Sequence, residues 1–444
     1  MKRRDFIKIG GAAALTVAMA PRLTAQKSEE QEQMLMRENP LNGDVVSALG
    51  FGCMRWPMIK DSKGKDIIDQ ETVNEMVDYA IAHGVNYFDT SPAYLQGQSE
   101  KAAGIALSRH PRESYFIATK LSNFGDQSKE ASIQMYKDSF KQLKTDYFDY
   151  YLLHSVGRGG AKAFAQRYTD NGMLEFLRKE KAAGRIRNLG FSFHGAQDEF
   201  DWFMQLHDSG EQTWDFVQIE MNYVDWRHAD GRRNTNAEYL YQELDKRGIP
   251  IIIMEPLLGG RLANVPEGIA RQMKTREPDM SPASWAFRFC ATYPRVLCIL
   301  SGMTNLVPLK ENVQTFGHFK PLTDEELAFM EKMAVEMKEY PLVNCTGCQY
   351  CMPCPWGVDI PGVFHHYNKS ITEGTYAQST RQKDYHKLKK AYLVSYDRAV
   401  DTLRQADRCI LCGVCVKRCP QSIAIPRQLN RIAKYVEDLK QDRL

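Results

Sequence analysis

Between about Ser47 and Asn312, short apolar runs alternate with amphipathic helical stretches, and this alternation constrains the fold more than any other feature of the chain. The runs at 48–52, 86–89, 115–120, 147–154, 187–192, 216–220, 250–254 and 296–300 read as strands. They are apolar almost throughout rather than at every second position, as parallel strands buried on both faces must be. Helix ends repeat one signature: His83-Gly84-Val85, Ala183-Gly184-Arg185 and Arg247-Gly248-Ile249. Each glycine falls where a left-handed cap has to precede the next strand. Strands and helices in this order favour an α/β fold of the (β/α)8 TIM barrel type. An open doubly wound sheet is the alternative, but no Gly-x-Gly-x-x-Gly follows the first strand to support it.

A barrel demands that catalytic side chains sit at the C-terminal ends of its strands. Asp89, Lys120 and His154 close the second, third and fourth runs, and Tyr94 follows in the loop after Asp89. Taken singly, each has a bland explanation as a cap, a solvated charge or a satisfied core histidine. Four convergent positions are harder to explain that way.

Past about Thr323 the chain changes character. Residues 324–340 read as a charged helix that leads into a cysteine-rich region. The first run is Cys345-Thr-Gly-Cys348-Gln-Tyr-Cys351-Met-Pro-Cys354-Pro355, and the second is Cys409-Ile-Leu-Cys412-Gly-Val-Cys415-Val-Lys-Arg-Cys419-Pro420. The second matches the bacterial ferredoxin pattern for [4Fe–4S] ligation, in which the last cysteine ligates the other cluster of a pair. The first has one residue fewer before its final cysteine. Zinc would leave the third cysteine of each run surplus, and disulfides within such close runs would be strained. Cys354-Pro355 to Ile360-Pro361 parallels Cys419-Pro420 to Ile425-Pro426, a repeat that suggests two related sites with Cys354 and Cys419 exchanged between them. The mainly helical stretch between the runs would pack around the clusters. Cys53, Cys290 and Cys298 lie in apolar settings and read as buried packing residues.

The chain has 444 residues and a formal net charge of +3, which gives no reason to expect nucleic acid as a partner. Arg3-Arg4-Asp5-Phe6-Ile7-Lys8 precedes an apolar segment too short to span a bilayer, and Ala18-Met19-Ala20 follows. Basic, apolar and small residues in that order read as a twin-arginine export signal over 1–25, and so as a periplasmic or cell-surface location without a transmembrane span. A barrel over 37–320 and an iron–sulfur domain over 324–444 complete the expected organisation.

Asn86-Tyr-Phe-Asp89-Thr-Ser-Pro-Ala-Tyr94, Ser99-Glu100-Lys101, Ala118-Thr119-Lys120 and Tyr150-Tyr-Leu-Leu-His154 resemble the aldo-keto reductase family from about Arg37 to Asn312. With the cysteine runs included, the whole is similar to the ferredoxin-bearing members of that family. The resemblance implies interconversion of a carbonyl and an alcohol by hydride transfer, with Tyr94 as acid/base. Lys120 would lower the phenol's pKa, Asp89 would hold Lys120, and His154 would orient the substrate oxygen. It also implies NAD(P), held by Ser192, Gln218, Pro256, Leu257, Gly259, Gly260, Ser301, Gly302, Glu311 and Asn312. Three positions depart from the family pattern. Phe193 replaces an Asn, no aromatic stands within Ile253-Met254-Glu255-Pro256, and no basic residue occupies Met303 or Thr304. NADH, NADPH or neither therefore stays open. The clusters would link a small-molecule carbonyl or alcohol to a redox partner protein or quinone-linked carrier. The alternative is a non-catalytic electron-transfer subunit whose barrel serves as a docking or ligand-binding scaffold.

Overall fold

The computed structural model describes residues 33–229 and 234–444; the proposed export signal at 1–25 lies outside the described residues. Eight parallel strands close into a barrel: β1 Leu49–Gly52, β2 Tyr87–Asp89, β3 Phe116–Leu121, β4 Phe148–Gly157, β5 Ile186–His194, β6 Val217–Glu220, β7 Ile251–Met254 and β8 Val296–Ser301. They pair in sequence order, and β8 returns to β1 through Ile299 opposite Leu49. Closure removes the open-sheet alternative. Inside the barrel, Tyr87, Ala118, Tyr150, Phe216, Ile252 and Cys298 pack together. Outward-facing apolar residues of the strands join the surrounding helices in a larger core. Gly84, Gly184 and Gly248 take the left-handed conformation expected of helix caps, with φ of 86°, 76° and 68°.

Two strands run further than their apolar pattern suggests. β4 continues past His154 to Gly157 and β5 continues to His194, with Val156 opposite Phe193 and Gly157 opposite His194. The register shifts between Leu153 and Val156, and Ser155 has φ 51°. Such a bulge redirects side chains and ends the regular alternation that sequence patterns detect. Its backbone is held by Arg167, whose Nη2 donates to the His154 carbonyl at 2.7 Å and Nη1 to that of Ser155 at 3.2 Å.

The helix Asp324–Glu339 begins with a capping box between Thr323 and Glu326. It sets Met330, Met333, Ala334 and Met337 into the barrel's core. A second core starts at Val343 and is built from helices Ile360–Thr372, Tyr385–Ala399 and Ile425–Lys440 around Tyr367, Tyr392, Tyr396 and Tyr435. This C-terminal domain sits on the barrel face formed by strand C-terminal ends. Arg158, just past β4, donates to the carbonyls of Cys419 and Pro420 and to Ser422 Oγ. Gln421 Nε2 donates to both carboxylate oxygens of Glu220 at the end of β6, at 3.0 and 3.1 Å. No helix among the described residues is long and apolar enough to cross a membrane.

Candidate active site

Asp89 ends β2, and Lys120 lies on β3 at the same barrel end. Their side chains form an ion pair of 2.5 Å, each almost wholly removed from solvent. Lys120 Nζ also donates to the Thr90 carbonyl at 2.9 Å, and Gln218 Nε2 reaches Asp89 Oδ2 at 3.5 Å. Burial pushes the Asp89 carboxyl up and the Lys120 ammonium down, and each is held charged chiefly by the other. Removing one partner of such a pair leaves an uncompensated buried charge, at a cost of roughly 3–5 kcal/mol.

The Lys120 ammonium stands 5.0 Å from the Tyr94 ring centroid, and the Tyr94 ring meets His154 edge-on at 5.8 Å. The expected acidification of Tyr94 is not what this arrangement favours. Burial, followed by the nearby carboxyl of Asp89, pushes the phenol well above its ordinary value. Tyr94 is therefore a firmly held proton in the substrate-free site.

His154 is equally constrained. Ser122 Oγ lies 2.5 Å from Nδ1 and Ser91 Oγ 3.3 Å, while the two hydroxyls are 2.8 Å apart. Burial, then the charges of Lys120 and Arg167, pushes the imidazole well below its ordinary pKa, so the ring is neutral. The other ring nitrogen, Nε2, meets the hydroxyl of Tyr350 at 3.2 Å. Tyr350 comes from the first cysteine run, between Cys348 and Cys351. Phe124 completes an aromatic rim, with ring centroids 5.0 Å from His154 and 6.0 Å from Tyr350. Tyr350, Ser91 and Ser122 were not singled out from the sequence; barrel closure brings the two serines to His154, and the first cysteine run brings Tyr350.

The positions named for a nucleotide divide into two groups. Ser192 and Gln218 lie at the inner end. Ser192 Oγ accepts from the Ser155 amide at 2.8 Å, and Gln218 Oε1 is buried without a hydrogen-bond partner. Asn312 Nδ2 donates to Ser301 Oγ at 3.0 Å, tying β8 to the helix Leu306–Gly317, which also carries Glu311. The cradle after β7 is different. Glu255 follows β7 with φ 54°, and its own Oε2 accepts from the Gly259 amide at 2.6 Å. Leu257 and Gly260 close that turn through a backbone hydrogen bond of 2.9 Å, beside Pro256. A Cβ on Gly259 would lie 2.4 Å from Thr346 Cα, so the cysteine run rests directly on the turn. Arg55 donates to the Thr346 carbonyl and covers Gly302, where an added Cβ would lie 3.0 Å from the Arg55 side chain. The amide that a pyrophosphate would need is taken, and the space beside it holds protein. These residues do not fit a bound dinucleotide.

The cysteines fit clusters better. Cys345, Cys348, Cys351 and Cys419 line one pocket, walled by Ile360, Phe364, Ile423 and Ile425. Cys409, Cys354 and Cys412 lie close enough to Cys415 to push its thiol up, after the larger effect of burial. Among the described residues no three Cys, His, Asp or Glu side chains converge closely enough for a single ion. A cubane, with iron at separate corners, takes thiolates that stand further apart. Cys53, Cys290 and Cys298 are buried in the barrel.

The sequence profile of the Aldo/keto reductase family matches residues 48–334. The chain belongs to that family. A 4Fe-4S dicluster domain profile matches residues 344–424, so this aldo/keto reductase carries an iron–sulfur domain at its C-terminal end. Among curated relatives, D-arabinose 1-dehydrogenase of Saccharomyces cerevisiae is 34% identical over 268 residues, covering 59% of this chain and 72% of its own. L-Galactose dehydrogenase of Arabidopsis thaliana is 24% identical over 314 residues, covering 66% and 91%. Solved structures share the barrel. The holo form of an aldo-keto reductase from Bacillus halodurans has a TM-score of 0.54 at 23% identity, over 68% of this chain and 96% of its own. An aldo-keto reductase from Klebsiella pneumoniae in complex with NADPH has a TM-score of 0.52 at 20% identity, over 68% and 96%.

Proposed function

We propose that this aldo/keto reductase interconverts a carbonyl and an alcohol at Tyr94, the net transfer of a hydride equivalent, and couples it to single-electron transfer through its cysteine-rich domain. The observation that carries the reading is the Asp89–Lys120 ion pair with the Tyr94 ring and His154 gathered beside it at one barrel end. In the reductive direction Tyr94 supplies a proton to the substrate oxygen, and the buried Lys120 ammonium offsets the negative charge left on the phenolate. His154, neutral and fixed at Nδ1 by Ser122, lies beside the Tyr94 ring with Nε2 on the Tyr350 hydroxyl, and would orient the substrate oxygen in concert with that hydroxyl. Oxidation runs the same proton path backwards, with the phenolate as base.

Cys345, Cys348, Cys351 and Cys419 would hold one [4Fe–4S] cluster, and Cys354, Cys409, Cys412 and Cys415 a second. Such clusters exchange electrons one at a time. We further place the protein outside the cytoplasm, exported folded with its clusters in place; export that fails when Arg3 and Arg4 are replaced by Lys is the test.

Methylglyoxal, D-arabinose and L-galactose, compounds named for relatives, form a first substrate panel. Tyr94→Phe is expected to lower turnover of any active panel member at least about a hundredfold while iron content is unchanged. Unchanged turnover would sink the mechanism at Tyr94. The second reading, an electron-transfer subunit without turnover, is favoured by the contact of Tyr350 on His154 Nε2. It predicts no panel activity in either direction with clusters that still cycle.

A further inference from the structure

We propose that residues 344–350 of the first cysteine run stand in the place of a dinucleotide, so that the protein works without bound NAD(P) and Tyr350 is a positioning residue of the active site. The inference rests on the carbonyl/alcohol reading and adds to it the source of the reducing equivalents.

Three features close the nucleotide groove independently. The Gly259 amide, which would face a phosphate oxygen, is bonded to the chain's own Glu255. The Thr346 backbone lies against Gly259 so closely that even a methyl group has no room there. From the opposite bank, Arg55 covers Gly302 and reaches across to the Thr346 carbonyl. Arg261 Nη1 adds a hydrogen bond of 3.0 Å to Asn344 Oδ1. A pyrophosphate entering this groove would have to displace an arginine, a carboxyl and a stretch of backbone together.

What the loop places in the site is as informative as what it keeps out. Tyr350 directly precedes Cys351 and follows Cys348 by two residues, and its hydroxyl meets the one nitrogen of His154 that the serines leave free. The neutral His154 ring has a single N–H, so the Tyr350 hydroxyl and Ser122 together decide which nitrogen carries it. Tyr350 thus sets how His154 meets a substrate oxygen.

The stoichiometry closes without a hydride donor. Reducing C=O to CH–OH takes two electrons and two protons. Two equivalents of a reduced one-electron carrier protein give up one electron each and leave oxidised. One proton reaches oxygen from Tyr94, which is reprotonated from solvent, and the other reaches carbon from solvent.

Equilibrium dialysis of the anaerobic holoprotein against NADH and NADPH, each at about 1 mM, tests the first part, because a competent coenzyme site would be filled at that concentration. The expected result is no retained nucleotide and no bleaching of the visible cluster absorbance by either, while dithionite-reduced methyl viologen bleaches it. One nucleotide retained per chain, or bleaching by NADH or NADPH, overturns the proposal. For the second part, Tyr350→Phe is expected to lower kcat for an active panel substrate about tenfold, the range of a lost positioning hydrogen bond, with KM within about twofold and iron content unchanged. Unchanged kcat overturns the role of Tyr350. Dialysis reads nucleotide binding without turnover, so a panel without activity would count against the carbonyl reading and leave the nucleotide result standing.

Discussion

Glu100 shows how far burial governs single groups in this barrel. It is buried, accepts from Thr119 Oγ1 at 2.5 Å, and burial raises its pKa to about 7. A carboxyl raised from its ordinary value in the folded state contributes fully below pH about 4.5, and that contribution is lost as pH rises through about 7. Glu100→Gln keeps an acceptor for Thr119 and removes the ionisation. It should be more stable than the parent at pH 8 by about 1–3 kcal/mol, with the difference gone below pH about 4.5. Denaturant titrations at the two pH values check this; a constant difference would contradict it. His154 and Tyr94 carry a second prediction. His154 is pushed down and Tyr94 up, so neither changes charge near neutrality. In the Glu100→Gln background, turnover should show no step between pH about 6 and 9, and a step near 6.5 would mean that His154 titrates as an ordinary histidine.

At the scale of elements, the turn after β7 and the cysteine run depend on each other. Gly259→Ala places a methyl group against Thr346 in a left-handed position, where an L side chain is already disfavoured. The variant should lose at least about 1 kcal/mol of stability and retain less iron, read by thermal unfolding and iron assay. Wild-type stability and iron would show that the run does not bear on this turn. The apolar runs marked the barrel strands to within a residue or two, because parallel strands buried on both faces leave an unbroken apolar signature. The extensions of β4 and β5 escaped that reading, since the bulge at Ser155 breaks the pattern just beyond His154. Asp89, Tyr94, Lys120 and His154 were legible from their places at strand ends. Glu255 was visible only as a missing aromatic. That it caps the Gly259 amide depends on backbone geometry, and that Arg55 and Thr346 complete the closure depends on residues far apart in sequence.

For the whole molecule, the placement of the C-terminal domain decides how the two halves work. Arg158 and Gln421 fix the second cysteine run to the ends of β4 and β6, while Arg55, Arg261 and Tyr350 fix the first around the mouth of the barrel. Cys412 faces solvent at the far site, between the exposed side chains of Leu411 and Val414. The near site adjoins His154 through Tyr350. No composition or periodicity distinguishes this arrangement from a tethered domain, because it rests on a few contacts between distant segments. The central claim is that the barrel takes its electrons from this domain and not from a nucleotide. The most direct measurement is to purify the holoprotein anaerobically, denature it mildly, identify the released small molecules by mass spectrometry and count iron in the same sample. The account predicts about eight iron per chain, as two [4Fe–4S] clusters require, and no NAD(H) or NADP(H). One nicotinamide nucleotide released per chain would contradict it.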